Sequence, residues 1–109
     1  MTPLFERQVE KLREGHFLLL YWSAQAEAAG RSYNITNAFD DLKFGRVTRT
    51  KQTAVALIDA LDVLDFLRCM ERGNRKNLSI TPDGARALER LVVDKRFEAR
   101  SSTFLEYAT

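Results

Sequence analysis

One cysteine, one histidine and two prolines occur in 109 residues, and each scarcity closes off a class of protein. A lone Cys69 forms no internal disulfide, which fits a reducing cytoplasm rather than a disulfide-stapled exported domain. One histidine and one cysteine, far apart in the sequence, make no convincing nucleophile–base pair and no zinc site. The five glycines are scattered and make no phosphate-cradling loop. Asp40 and Asp41 are adjacent, so on a helix they diverge instead of forming a carboxylate pair. The expectation is a protein that is not an enzyme and carries no cofactor and no metal. No apolar run approaches the roughly 20 residues that span a bilayer. The opening MTPLFERQVEKLREG mixes acids with bases and has no leader-like apolar core, so export is not expected.

Hydrophobic residues make up 45% and charged residues 29%, the balance of an ordinary globular domain. The length suits one domain. Net charge is only +2, so the placement of charges decides more than their sum.

Both prolines stand where helices should begin. Thr2 can cap a helix opening at Pro3, and Thr81 one opening at Pro82. Phe5, Val9, Leu12, His16, Leu19 and Leu20 fall at offsets 0, 4, 7, 11, 14 and 15, a single helical stripe. That spacing predicts one long helix over residues 1–30, ending near Ala29 with Gly30 as terminator. Gly15 weakens it by about 1 kcal/mol against alanine. The segment HFLLLYW (16–22) is apolar all round and so needs burial on two sides. A second copy of the chain is the expected cover, with Phe17, Leu18, Tyr21, Trp22 and Phe104 at a dimer interface. The alternative cover is the C-terminal segment folding back.

Residues 34–64 read as a helix-turn-helix. In RSYNITNAFDDLKFG, Asn34 or Thr36 caps a short helix that buries Phe39 and Leu42 and stops at Gly45. In RVTRTKQTAVALIDALDVL, Ala54, Leu57, Ile58, Leu61 and Leu64 form a helical stripe capped by Thr48 or Thr50. About four residues should join the two helices. Residues 65–81 predict a hairpin that turns at Gly73-Asn74, with Leu78 and Ile80 facing inward. Residues 82–109 predict a C-terminal helix, from Pro82 to about Glu98, and a tail that keeps Phe104, Leu105 and Tyr107. Ala85, Leu88, Leu91 and Val92 share one stripe of that helix. The fold class expected is mostly α with a small β-hairpin.

From about residue 47 to 91 the chain resembles the winged helix-turn-helix of MarR-type and PadR-like bacterial regulators. TAVALIDALDVLDFL carries Thr53, Asp59 and Leu61 in that family's usual spacing. LSITPDGARALERL, with Thr81-Pro82-Asp83-Gly84, is similar to its leucine-threonine-proline-glutamate-glycine junction after the wing. The resemblance implies a homodimer, with recognition helices in successive major grooves and wings on the flanking backbone or minor groove. Val55 and Ala56 depart from it, standing where such families often carry arginine or a polar residue.

On this basis the expected DNA-binding residues are Arg46, Thr48, Arg49, Thr50, Lys51, Gln52 and Thr53 at the second helix, with Arg72, Asn74, Arg75 and Lys76 on the wing. Gln52 suits an adenine edge, Arg49 a guanine or a phosphate, and Val55 or Ala56 a thymine methyl. Asp59 and Asp62 would repel phosphates that came close. His16 is expected as a packed core residue, and Cys69 as a structural thiol whose pKa Arg68 and Arg72 could depress. The expected function is that of a cytoplasmic, nucleoid-associated transcriptional regulator binding double-stranded DNA, with room for a small-molecule effector. The alternatives are a winged helix used as a protein–protein interaction module, or a plasmid or viral DNA-segregation or replication accessory.

Overall fold

The structure, a computed structural model, describes residues 3–73 and 75–106, with Arg72 described in its backbone alone. The elements run α1 (Pro3–Glu10), α2 (Glu14–Ala28), β1 (Tyr33–Asn34), α3 (Ile35–Phe44) and α4 (Lys51–Val63), then β2 (Leu67–Arg72), β3 (Arg75–Ile80), α5 (Pro82–Val93) and α6 (Thr103–Glu106). The strands form one antiparallel sheet in the order β1-β3-β2. The chain is therefore mostly helical with a small three-stranded sheet. Thr2, Asn74 and Tyr107 lie outside the described residues.

The expected single N-terminal helix is two helices, and the break is at Lys11–Arg13, not at Gly15. Nδ1 of His16 accepts from the Arg13 amide at 2.9 Å and so caps the start of α2. The carbonyls at the end of α1 are collected from far away. The Arg96 guanidinium donates to the carbonyls of Val9, Glu10 and Leu12 at 2.9, 3.0 and 2.9 Å, in the last turn of α1 and the link that follows it. Gly15 serves packing instead: a Cβ there would stand 2.7 Å from Cδ1 of Leu57, where α2 crosses α4.

Helix α2 is buried on both sides, as its apolar ring requires. The covering element, however, is the chain's own C-terminal segment. Phe97 packs on Phe17 with ring centroids 5.6 Å apart, and the Trp22 indole N–H donates to the Arg100 carbonyl at 2.7 Å. Phe17, Leu18 and Trp22, expected at a dimer interface, are no more than 1% exposed within one chain. Tyr21 is half-buried and stacks on Phe17. Phe104 is half-buried against Tyr33, under the Arg31 guanidinium. Of these five side chains, Phe17, Leu18 and Trp22 are thus covered within a single copy, while Tyr21 and Phe104 keep part of their surface exposed.

Helix α5 stops at Val93 rather than near Glu98, because Lys95 takes φ +54° and the Arg96 amide turns back to the Leu91 carbonyl. Helices α2, α3 and α4 end the same way, through left-handed Gly30, Arg46 and Asp65. The glycine expected to stop α3, Gly45, has φ −76°; the left-handed residue is Arg46. The link from α3 to α4 thus takes residues 45–50, longer than expected.

Strand β1 adds a third strand to the expected hairpin, pairing Tyr33 with Leu78 and Asn34 with Asn77. Leu67 and Leu78 are buried beneath the hairpin, and Ile80 is half-buried. At the hairpin's exit, the Thr81 hydroxyl accepts from the Gly84 amide at 2.9 Å and donates to the Asp65 carbonyl at 2.5 Å. Gly84 has no room for a side chain, since a Cβ would lie 2.0 Å from the Phe66 carbonyl oxygen. Among the described residues, no helix is long and apolar enough to cross a membrane.

Candidate nucleic-acid interface

Thr50 caps α4, its hydroxyl accepting from the Thr53 amide at 3.2 Å and contacting the Thr53 hydroxyl at 2.8 Å. Ala54, Ile58 and Leu61 are buried, with Leu57 and Leu64 half-buried. That inward stripe leaves Lys51, Gln52, Ala56, Asp59 and Asp62 exposed, and Val55 half-buried.

A groove of about 890 Å³ separates α4 from the β2–β3 hairpin. Lys51, Val55, Asp59 and Asp62 line one wall, and Cys69, Glu71, Arg75 and Lys76 the other. Asn34, Ile35, Thr36 and Asn37, at the start of α3, complete it. The pairing of β1 with β3 brings this third wall to the hairpin, and sequence spacing carried no sign of it. Asn34 and Asn37 are locked reciprocally: the Asn37 amide donates to the Asn34 side-chain oxygen at 2.8 Å, and the Asn34 amide to that of Asn37 at 3.1 Å.

Of the expected DNA-binding residues, Lys51, Arg75 and Lys76 meet in this groove. Arg49, Gln52 and Thr53 are exposed beside it but do not line it. Arg46 is exposed and faces a separate recess with Trp22, Phe44 and Arg100. Thr48 departs from expectation: it is 6% exposed, and its hydroxyl is spent on the backbone N–H and C=O of Thr50. The Thr50 hydroxyl is likewise committed to the helix cap. Asn74 and the Arg72 side chain lie outside what is described. Arg68 pairs at 3.9 Å with Asp65 at the hairpin's base, away from its tip.

The groove balances its charges along its length. Lys51 opens α4, and Arg75 and Lys76 open β3, whereas Asp59 and Asp62 lie beyond the second turn of α4. Glu71 approaches Lys76 to 4.0 Å, a well-exposed pair that holds neither side chain firmly. Burial pushes the Cys69 thiol pKa up, and the fields of Asp62 and Asp59 push it further. The net shift is upward, opposite to the depression expected from Arg68, and a raised pKa leaves less thiolate at neutral pH. His16 is outside the groove, and burial followed by the Arg13 charge lowers its pKa, keeping the imidazole neutral and accepting. No group of three or more His, Cys, Asp or Glu suited to a metal occurs among the described residues.

No known family model matches the chain, and no curated protein matches it. Among solved structures, it is similar to the crystal structure of AF1382 from Archaeoglobus fulgidus, with a TM-score of 0.62 at 14% identity. The match covers 84% of this chain and 98% of that one. At so low an identity the likeness speaks for architecture alone. The two chains share a fold, a mostly helical one with a small antiparallel sheet.

Proposed function

We propose that the chain is a winged helix-turn-helix protein that binds duplex DNA, with α4 as its recognition helix and the β2–β3 hairpin as its wing. The observation that carries this reading is the meeting of Lys51, at the first residue of α4, with Arg75 and Lys76 of the hairpin on one groove. The helix N-terminus adds its own partial positive charge at the same place. Arg49 and Gln52, exposed beside Lys51, supply groups that hydrogen-bond phosphates and base edges. Asp59 and Asp62 would hold the later turns of α4 away from phosphates, so the helix enters a major groove by its first turns. A transcriptional role and a homodimer belong to the same reading. With the apolar ring of α2 covered from within, a second copy would meet the exposed Leu4, Val92 and Val93 of α1 and α5.

A protein-interaction module is the second reading. It is favoured by the far half of α4, where Val63 is 86% exposed beside Asp59 and Asp62.

The deciding experiment is fluorescence anisotropy with labelled random-sequence duplex across a salt series. Wild type is compared with the double variant Arg75→Ala, Lys76→Ala. The expected wild-type affinity falls with salt, and the variant's log–log slope is shallower by up to about 1.8, or roughly 0.9 per lost phosphate contact. Absence of binding at low salt would favour the interaction module.

A further inference from the structure

The C-terminal segment does more than cover α2. It grips α3 at two places one turn apart, and the second grip lies where the link to α4 begins. At the first, Asp41 accepts from the Ser102 hydroxyl at 2.5 Å and from the Phe104 amide at 3.1 Å. At the second, the Arg100 guanidinium donates to the Gly45 carbonyl, and its other amino group meets Glu14 at 3.5 Å. Gly45 is the residue on which α3 ends, so this carbonyl is one the helix leaves without an internal partner. A cation there also opposes the negative end of the helix dipole.

Arg100 is well placed to transmit position. Its own carbonyl is pinned by the buried Trp22 indole at 2.7 Å, and Ser102 follows two residues later on Asp41. The backbone bearing the guanidinium is therefore held at Arg100 itself and again two residues later. The other hydrogen bonds of residues 45–50, among the described residues, are local. The Arg46 amide reaches the Lys43 carbonyl, the Val47 amide the Leu42 carbonyl, and Thr48 closes on Thr50. Left-handed Arg46 follows Gly45 directly, and here the chain swings from the axis of α3 toward that of α4.

We infer that Arg100 is a positioning residue for the α4 face: it fixes the start of the α3–α4 turn, and with it the angle at which α4 meets the hairpin. Its relevance to binding rests on the DNA-binding reading above. Arg100 stands outside the lining of the groove, so its loss removes no groove cation.

The test uses Arg100→Met, which keeps the aliphatic stem, and Arg100→Lys, which keeps a single ammonium donor. Amide hydrogen exchange on the free proteins follows Arg46, Val47 and Thr50, with the amides of α2 beyond its first turn, which begins at the Arg100 contact Glu14, as internal reference. The expected result is exchange about tenfold faster at these three positions in Arg100→Met, with α2 unchanged and Arg100→Lys intermediate. Duplex affinity should fall several-fold, with the salt slope unchanged, since no phosphate contact is removed. Equal acceleration in α2 would mean a merely structural residue and overturn the inference. So would unchanged exchange in the turn, or a slope shallower by the value of one phosphate. In a wild type that binds DNA, faster turn exchange with unaltered affinity overturns it as well. If wild type binds no DNA, faster exchange confined to the turn sustains Arg100 as the positioning residue of α4 while the DNA reading falls.

Discussion

Replacing Asp41 tests how much of the fold hangs on one buried carboxylate. Asp41 is 2% exposed and accepts three hydrogen bonds, from the Tyr33 hydroxyl at 2.5 Å, the Ser102 hydroxyl at 2.5 Å and the Phe104 amide at 3.1 Å. Burial, and then the bond to Asp41, push the Tyr33 pKa up, so the phenol remains a donor across the accessible pH range. In Asp41→Asn the side-chain oxygen can keep the Phe104 amide. The new NH2 would face the two hydroxyls, which can rotate to accept from it. That variant loses the charge and keeps the connections, at about 2 kcal/mol. Asp41→Ala leaves two buried hydroxyls and an amide without an acceptor, at about 1–3 kcal/mol each. Allowing for relaxation and water, a loss of about 4–6 kcal/mol is expected, a large part of a typical domain's roughly 5–15 kcal/mol. Urea denaturation followed by the fluorescence of the single Trp22, itself bonded to the same C-terminal segment, measures both. A loss below about 1 kcal/mol in Asp41→Ala would refute the reasoning, because no buried hydroxyl left unpaired should cost so little.

Two further outcomes follow from the geometry. Gly84→Ala should lose more than about 3 kcal/mol or fail to fold, because its Cβ would fall 2.0 Å from a backbone oxygen and 2.9 Å from the carbon bearing it; a wild-type urea midpoint would contradict this. For His16, the folded pKa lies below its unfolded value of about 6.5, so its contribution is complete above that pH and is lost as pH falls through the folded value. Wild type should therefore weaken more than His16→Gln between about pH 7.5 and pH 5, and parallel urea midpoints for the two proteins would disprove it.

Local chemistry was legible wherever it decides the structure. Thr81-Pro82 begins α5, the Ala54–Ile58–Leu61 stripe faces inward, and the hairpin turns where Gly73 allows it. What could not be read was set by partners far along the chain. The break between α1 and α2 has no proline or glycine at it; its carbonyls are received by Arg96. The ring of apolar residues on α2 announced a second cover, but periodicity cannot distinguish a partner chain from residues 96–104. Strand β1, at two residues, is shorter than any alternation could reveal. At the candidate site, the exposed face of α4 and the basic hairpin were legible from composition and spacing. That Lys51 shares a groove with Arg75 and Lys76, and that Thr48 points inward, depended on how the hairpin lies across the helix.

The long reach of the C-terminal segment also sets the order in which the chain can finish folding. Arg96 caps carbonyls 84 to 87 residues before it, and Ser102 meets Asp41 across 61. During synthesis, α1 through α5 are all made before the groups that seal α2 exist. Until then Phe17 and Trp22 present an apolar surface to the cell, a period in which aggregation competes with folding. Closure through contacts of such long separation should also make the last step slower than helix formation itself. A nascent chain halted just after Val93 would be a natural client for a chaperone, whereas the chain extended through Phe104 would have covered its own apolar face.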